Sequence, residues 1–164
     1  FFFKQKTAYE IVSRDWSSDV CSSDLQHLAA ALREISAGKK ETHWMWFMFP
    51  QLQSLGRSEM ARKFGIVDVD HARRFLQHPV LGGNYEQLVE ATYKVIVEQG
   101  GNIGLVFGDP DDLKLMSSLT LFERAATAEQ RTLLAEHCAA IIAAGVEQDL
   151  TPCSTTLTAM DGRS

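Results

Sequence analysis

The sequence predicts an all-α protein: a single multihelical domain of six or seven helices around one core, with an artefactual amino-terminal extension. Three observations carry this reading. Apolar residues recur three and four positions apart along most of the chain, the spacing of one helix face. Helix start and stop signals bracket those stretches. No run alternates apolar and polar residues convincingly, and Ile66-Val67-Asp68-Val69 is the single strand-like piece.

The first 25 residues, FFFKQKTAYEIVSRDWSSDVCSSDL, stand apart. They lack the apolar core of a signal peptide. Reverse translation instead matches two short-read sequencing oligonucleotides in the right order and frame. One accounts for Lys4 to Glu10, its poly-T lead for the Phe run, and the other for Asp15 to Asp24. The expectation is that residues 1–25 derive from adapter, that Tyr9, Trp16 and Cys21 carry no biological information, and that the native amino terminus is lost.

The elements then follow in order. Leu28, Leu32 and Ile35 form a helix face over residues 26–37, and Gly38 is placed to end it. Ser58 starts a short helix through Met60, Ala61 and Phe64, stopped by Gly65. Asp68 or Asp70 caps another through Ala72, Phe75 and Leu76, stopped by Pro79, with a tight turn over His78-Pro79-Val80-Leu81-Gly82. His78 reads there as a helix-terminus residue favoured by the dipole. Asn84 begins a longer helix with Tyr85, Leu88, Val89, Thr92, Val95 and Ile96 inward, ended by Gly100-Gly101. Asp109-Pro110-Asp111-Asp112 is a strong start, with Asp109 as cap and Pro110 in the first turn, leading into Leu113, Met116, Leu119 and Thr120. Thr127 and Gln130 match a capping box before Leu133, Leu134, His137, Cys138, Ile141 and Ile142, with Gly145 ending the run. The organisation is thus residues 26–146 as the helical domain and 147–164 as a polar, flexible tail.

Composition bounds the function. The chain carries 16 basic and 21 acidic residues, a net charge of −5, or −4 without the adapter-like stretch. That acidity argues against a nucleic-acid partner, whose backbone wants a basic face. No apolar run approaches the roughly 20 residues of a membrane span, so no membrane partner is expected. Cys138 and Cys153 form no CxxC pair and no metal-ligand spacing, and Cys138 lies on an apolar helix face as a buried thiol. No metal and no cofactor is expected, and the location read from these features is the cytoplasm.

Two segments can carry chemistry. In His43-Trp44-Met45-Trp46-Phe47-Met48-Phe49-Pro50-Gln51, the aromatic rings serve first as a core anchor. The sharper reading has Trp46 lining a pocket and stacking on a planar ligand. His43 is either a hydrogen-bonded structural residue or an anion-binding or acid–base group. In Phe107 to Phe122, the acids are explained by the helix start, but Lys114, Ser117 and Ser118 lie within one turn. Lys114 and Ser118 are four apart and can share a face, where a cation and a hydroxyl could hold a phosphate or carboxylate. Asp111 and Asp112 are adjacent and diverge by about 100° on a helix, a poor catalytic pair. The nucleotide-binding motifs GxGxxG and GxxxxGK[ST] are absent, as are HExxH and GxSxG.

The order HWMWFMFPQL, LGRSEMARKFGI, AxxFLQHPVLG, FGDPDDLKLMSSLTLF resembles a bacterial family catalogued as domain of unknown function 1810, over about residues 26–125. The resemblance implies an all-helical, single-domain, cytoplasmic protein with no established activity. The calpastatin label that some members carry is read as a misannotation. The chain departs from the pattern at both ends: the helix before Gln26 is missing, and the element after Phe122 is hard to trace. Two functions are carried forward. One is binding of, or action on, a small phosphate-bearing metabolite, nucleotide or ADP-ribose-like, in a pocket of His43, Trp46, Gln51, Lys114, Ser117 and Ser118. The other is a non-catalytic module whose aromatic block docks an unidentified protein partner.

Overall fold

A computed structural model describes residues 22–152 and 154–161. Cys153 and most of the adapter-like stretch lie outside them. The described residues form helices α1 (Ser22–Ser36), α2 (Met45–Met48), α3 (Glu59–Phe64), α4 (Val69–Gln77), α5 (Pro79–Tyr93) continued by a π turn (Lys94–Glu98), α6 (Ile103–Phe107), α7 (Asp111–Ala128), α8 (Thr132–Glu147) and α9 (Ser154–Asp161). A 3₁₀ turn spans Gln53–Leu55. Among the described residues there is no strand. The strand-like Ile66–Val69 piece reduces to one parallel bridge between Leu52 and Ile66, closed by Gln53 N–H to the Ile66 carbonyl and Ile66 N–H to the Gln51 carbonyl.

The all-α reading holds, and three short helices join the six the periodicity places: α2, α6 and α9. The polar tail contains α9, whose Thr156 is buried and whose Met160 packs on the core. Gly38 ends α1 with φ +76°, its amide bonded to the Ile35 carbonyl while Lys39 N–H reaches back to Glu34.

Four local expectations fail: the turn before Asn84, the Asp109 cap, the Thr127–Gln130 capping box and the stop at Gly145. Pro79 stops α4 as expected, since that helix ends at Gln77 with His78 extended, and it also opens α5 at the first position, where its missing N–H costs nothing. The imidazole Nδ1 of His78 caps that helix by accepting from Val80 and Leu81 N–H, both at 3.2 Å. His78 through Gly82 is therefore the start of α5 and not a separate turn, and α5 begins five residues before Asn84. Asp109 is exposed and caps nothing; Pro110 occupies the cap position of α7 without a side-chain bond. The Thr127–Gln130 capping box does not form, because α7 runs on to Ala128 and Thr127 Oγ1 donates back to the Glu123 carbonyl. Gly145 lies inside α8 and does not end it: a Cβ there would sit 2.7 Å from Met116 Sδ, so this glycine admits α7.

Helix α7 is the axis of the fold. Every residue from Leu115 to Phe122 is buried, so the helix is covered on all sides over two turns. It packs on α4, α6, α8, α9 and α2, while α5 lies between α1 and α8. An aromatic cluster ties these layers. Tyr85 stacks on Phe122 at 4.2 Å, Phe75 meets Phe122 edge-on at 5.3 Å, and Phe49 meets both Tyr85 and Phe107 edge-on. Each such pair contributes about 0.5–1.5 kcal/mol beyond the area it buries.

Candidate ligand cleft

The connection between α1 and α2 is built on one carboxylate. Glu34 accepts from the amides of Glu41 and Thr42, the Thr42 hydroxyl and the indole N–H of Trp44. Burial pushes its pKa up, but the bonds from Thr42, Glu41 and Trp44 outweigh that and bring it down to about 2. This fixes Trp44 in the core and sets the direction of α2. Trp46, two residues further on, then faces the first turn of α7.

There Asp111 and Lys114, an i, i+3 pair, meet the loop. Asp111 Oδ1 accepts from Lys114 Nζ at 2.8 Å and Oδ2 from Lys40 Nζ at 2.7 Å. Burial opposes ionisation of Asp111, and the two lysines outweigh it, holding its pKa below the ordinary value. Lys40 Nζ also donates to the Thr42 carbonyl at 2.8 Å and lies over the Trp44 ring at 5.2 Å. Lys114 Nζ sits over the Trp46 ring, 3.9 Å from its centroid, in a cation–π contact.

Between these groups runs a narrow cleft of about 220 Å³, counting the part open to solvent, lined by Met45, Trp46, Phe49, Gln51, Phe64, Gly65 and Lys114. Its interior has no room for a water molecule in this conformation. The Leu52–Ile66 bridge holds the Gln51 backbone at its wall. The Gln51 side-chain amide and the Trp46 indole N–H are bonded to no described residue.

Of the residues singled out from sequence, Trp46, Gln51 and Lys114 therefore meet in one cleft. The other three do not line it. His43 is exposed at the head of α2. Ser117 is buried and donates to the Leu113 carbonyl at 3.1 Å. Ser118 is fully buried, 3.0 Å from the Tyr85 hydroxyl. Lys114 and Ser118 thus do not share one anion-binding face. Lys40 was missed: nothing in Lys39-Lys40-Glu41 distinguishes the lysine that turns inward. The Asp111–Lys114 pair was legible in its spacing.

The rest of the surface offers larger but plainer hollows. Counted in the same way, one of about 1070 Å³ lies between the Leu52–Asp70 region and α9, and one of about 750 Å³ between α1 and α5. Among the described residues no group of three or more His, Cys, Asp or Glu could hold a metal. No described helix is long and apolar enough to cross a membrane.

The sequence pattern of the family described as "Protein of unknown function (DUF1810)" matches residues 20–150. The chain belongs to that family. The match begins before Gln26 and runs past Phe122 through α8, so the family pattern extends beyond both ends of the motif-bearing stretch. The fold resembles the crystal structure of the conserved hypothetical protein Rv1873 from Mycobacterium tuberculosis, with a TM-score of 0.67 and 33% identity over 84% of this chain and 95% of that one. No curated protein matches the chain. The four stretches that carry the sequence resemblance span residues 43–122, and three of them line the cleft: the first through Met45, Trp46, Phe49 and Gln51, the second through Phe64 and Gly65, and the last through Lys114.

Proposed function

We propose that this member of the DUF1810 family binds a small anionic metabolite in the cleft between α2 and the start of α7. The best candidates bear phosphate: a nucleotide or an ADP-ribose-like compound. The supporting observation is the juxtaposition at Trp46. An ammonium group lies on the ring at 3.9 Å, beside a Gln51 amide and an indole N–H that no described residue uses. A mixed wall of apolar surface and a few unspent polar groups is what a ligand site needs. Because the cleft is closed, binding draws Lys114 off the ring and onto the ligand, leaving the indole face to a planar group.

The docking-module reading has less support. Trp44 is 1% exposed, and the exposed large apolar residues are Val67, Leu105, Leu113, Leu133, Val146 and Leu157, none of them in the aromatic block. A thermal-shift screen against nucleotides, ADP-ribose, sugar phosphates and small acids tests the ligand reading. A binder at a hundredfold excess over its dissociation constant stabilises by about 2.7 kcal/mol. The expected result is a shift from a nucleotide-type anion that Lys114→Ala and Trp46→Ala each abolish while retaining native helicity. A blank across the panel, or a shift indifferent to both substitutions, sinks it.

A further inference from the structure

Charge bookkeeping around Lys114 narrows the ligand class, on the condition that the cleft binds an anion as proposed above. Two ammonium groups share one carboxylate, so Lys40, Asp111 and Lys114 carry a net single positive charge. All three are poorly exposed, with side chains 7%, 18% and 18% accessible. Two other carboxylates lie nearby and add to the negative side of the balance, although their hydrogen bonds go to other groups. Glu34 serves the loop amides and Trp44, and Asp112 turns its Oδ1 to the Leu113 amide.

The two lysines differ in what they have left. An ammonium has three N–H donors. Those of Lys40 are directed to Asp111, the Thr42 carbonyl and the Trp44 ring. Those of Lys114 meet only Asp111 and the Trp46 ring, so one remains and the ring contact is exchangeable. Asp111, pinned from behind by Lys40, keeps its negative charge beside the site whatever binds.

We infer that the cleft selects a group with one negative charge, a phosphodiester or a carboxylate attached to a planar ring, and discriminates against a dianionic phosphomonoester. One charge is what the single uncommitted N–H of Lys114 can meet. A second would be left uncompensated in a poorly solvated site and would face the Asp111 carboxylate at close range. Asp111 is the specificity-determining residue.

Matched pairs test this by titration calorimetry on the full chain. Cyclic AMP and AMP share base and sugar, but at pH 8 the first is a monoanion and the second a dianion, since a phosphomonoester has a second pKa near 6. Benzoate and phenyl phosphate repeat the comparison on a smaller ring. The expected result at pH 8 is that each monoanion binds at least about tenfold more tightly than its dianionic partner. At pH 5.5 the AMP gap should close, while cyclic AMP, unchanged in charge, controls for any effect of pH on the protein itself. Asp111→Asn should reverse the preference at pH 8. If that variant does not fold, the pH comparison on the unaltered chain decides. Dianions binding as well as monoanions at pH 8 overturn the inference and leave anion binding standing. If neither pair binds, both the inference and the binding reading fall.

Discussion

At Gly82 one hydrogen atom decides the geometry of two helices. A Cβ there would lie 2.1 Å from the Leu76 carbonyl oxygen, a backbone atom that cannot step aside, so α4 and α5 meet only over glycine. Gly82→Ala is expected to cost roughly 3 kcal/mol or more in a urea unfolding series, as overpacking against backbone does. Gly145→Ala should cost less, because its obstacle is the flexible end of Met116. His71 supplies a pH dependence. Its imidazole is 2% exposed, and Nδ1 accepts from Val67 N–H at 3.0 Å. Burial, with the nearby Arg74 charge, lowers its pKa from 6.5 to about 4 against the opposing pull of Asp68. The unfolded chain therefore takes up this proton first. Stability is unaffected above about pH 6.5 and declines as the pH falls towards 4, by up to about 3 kcal/mol from this group. His71→Gln should flatten that part of the stability-versus-pH curve in urea melts at fixed ionic strength; an unchanged slope would show that other groups set it. Neither effect is legible from sequence. Gly82 reads as a turn residue, and nothing in the spacing singles out His71, until the neighbouring helix is in place.

Among the elements, caps show where local signals are trustworthy. Two acids compete for the start of α4, and Asp68 wins: its Oδ1 accepts from His71 N–H at 2.7 Å, while Asp70 is exposed and pairs with Arg73. Asp68→Ala should lower stability by about 1 kcal/mol and Asp70→Ala by less than half that, read from paired thermal melts. Equal losses would assign the cap wrongly. The signals that misled did so for two reasons. A proline is both a stop for one helix and a good first residue for the next, and the sequence around His78 satisfies both descriptions. Thr127 and Gln130 have the spacing of a capping box, but the inward face of α7 continues through Ala125 and Ala126, so the helix is carried past them by burial.

For the whole molecule, the burial of α7 leaves its polar groups accessible only near its ends. From Leu115 to Phe122 no side chain reaches solvent freely, and the accessible polar groups lie at the first turn beside α2 and, at the far end, at Glu123, Arg124 and Thr127. The same core encloses Cys138, which is 0% exposed and whose thiol is pushed well above its ordinary pKa by burial and, secondarily, by Glu123. Site-resolved mass spectrometry after thiol labelling should find Cys138 modified only at the rate of global opening, and fast in urea. Labelling in native buffer at the rate of a free thiol would mean the core opens locally. The helical class, the α1 terminus at Gly38, the buried thiol and the family motifs were all determined by the sequence alone, because periodicity, caps and short motifs are properties of neighbouring residues. The tertiary structure alone decided that Lys40 turns inward to Asp111, that Ser117 and Ser118 belong to the core, and that Trp46, Gln51 and Lys114 meet. Those contacts join segments distant in the chain, and their partners are chosen by how α7 packs and not by any spacing along it.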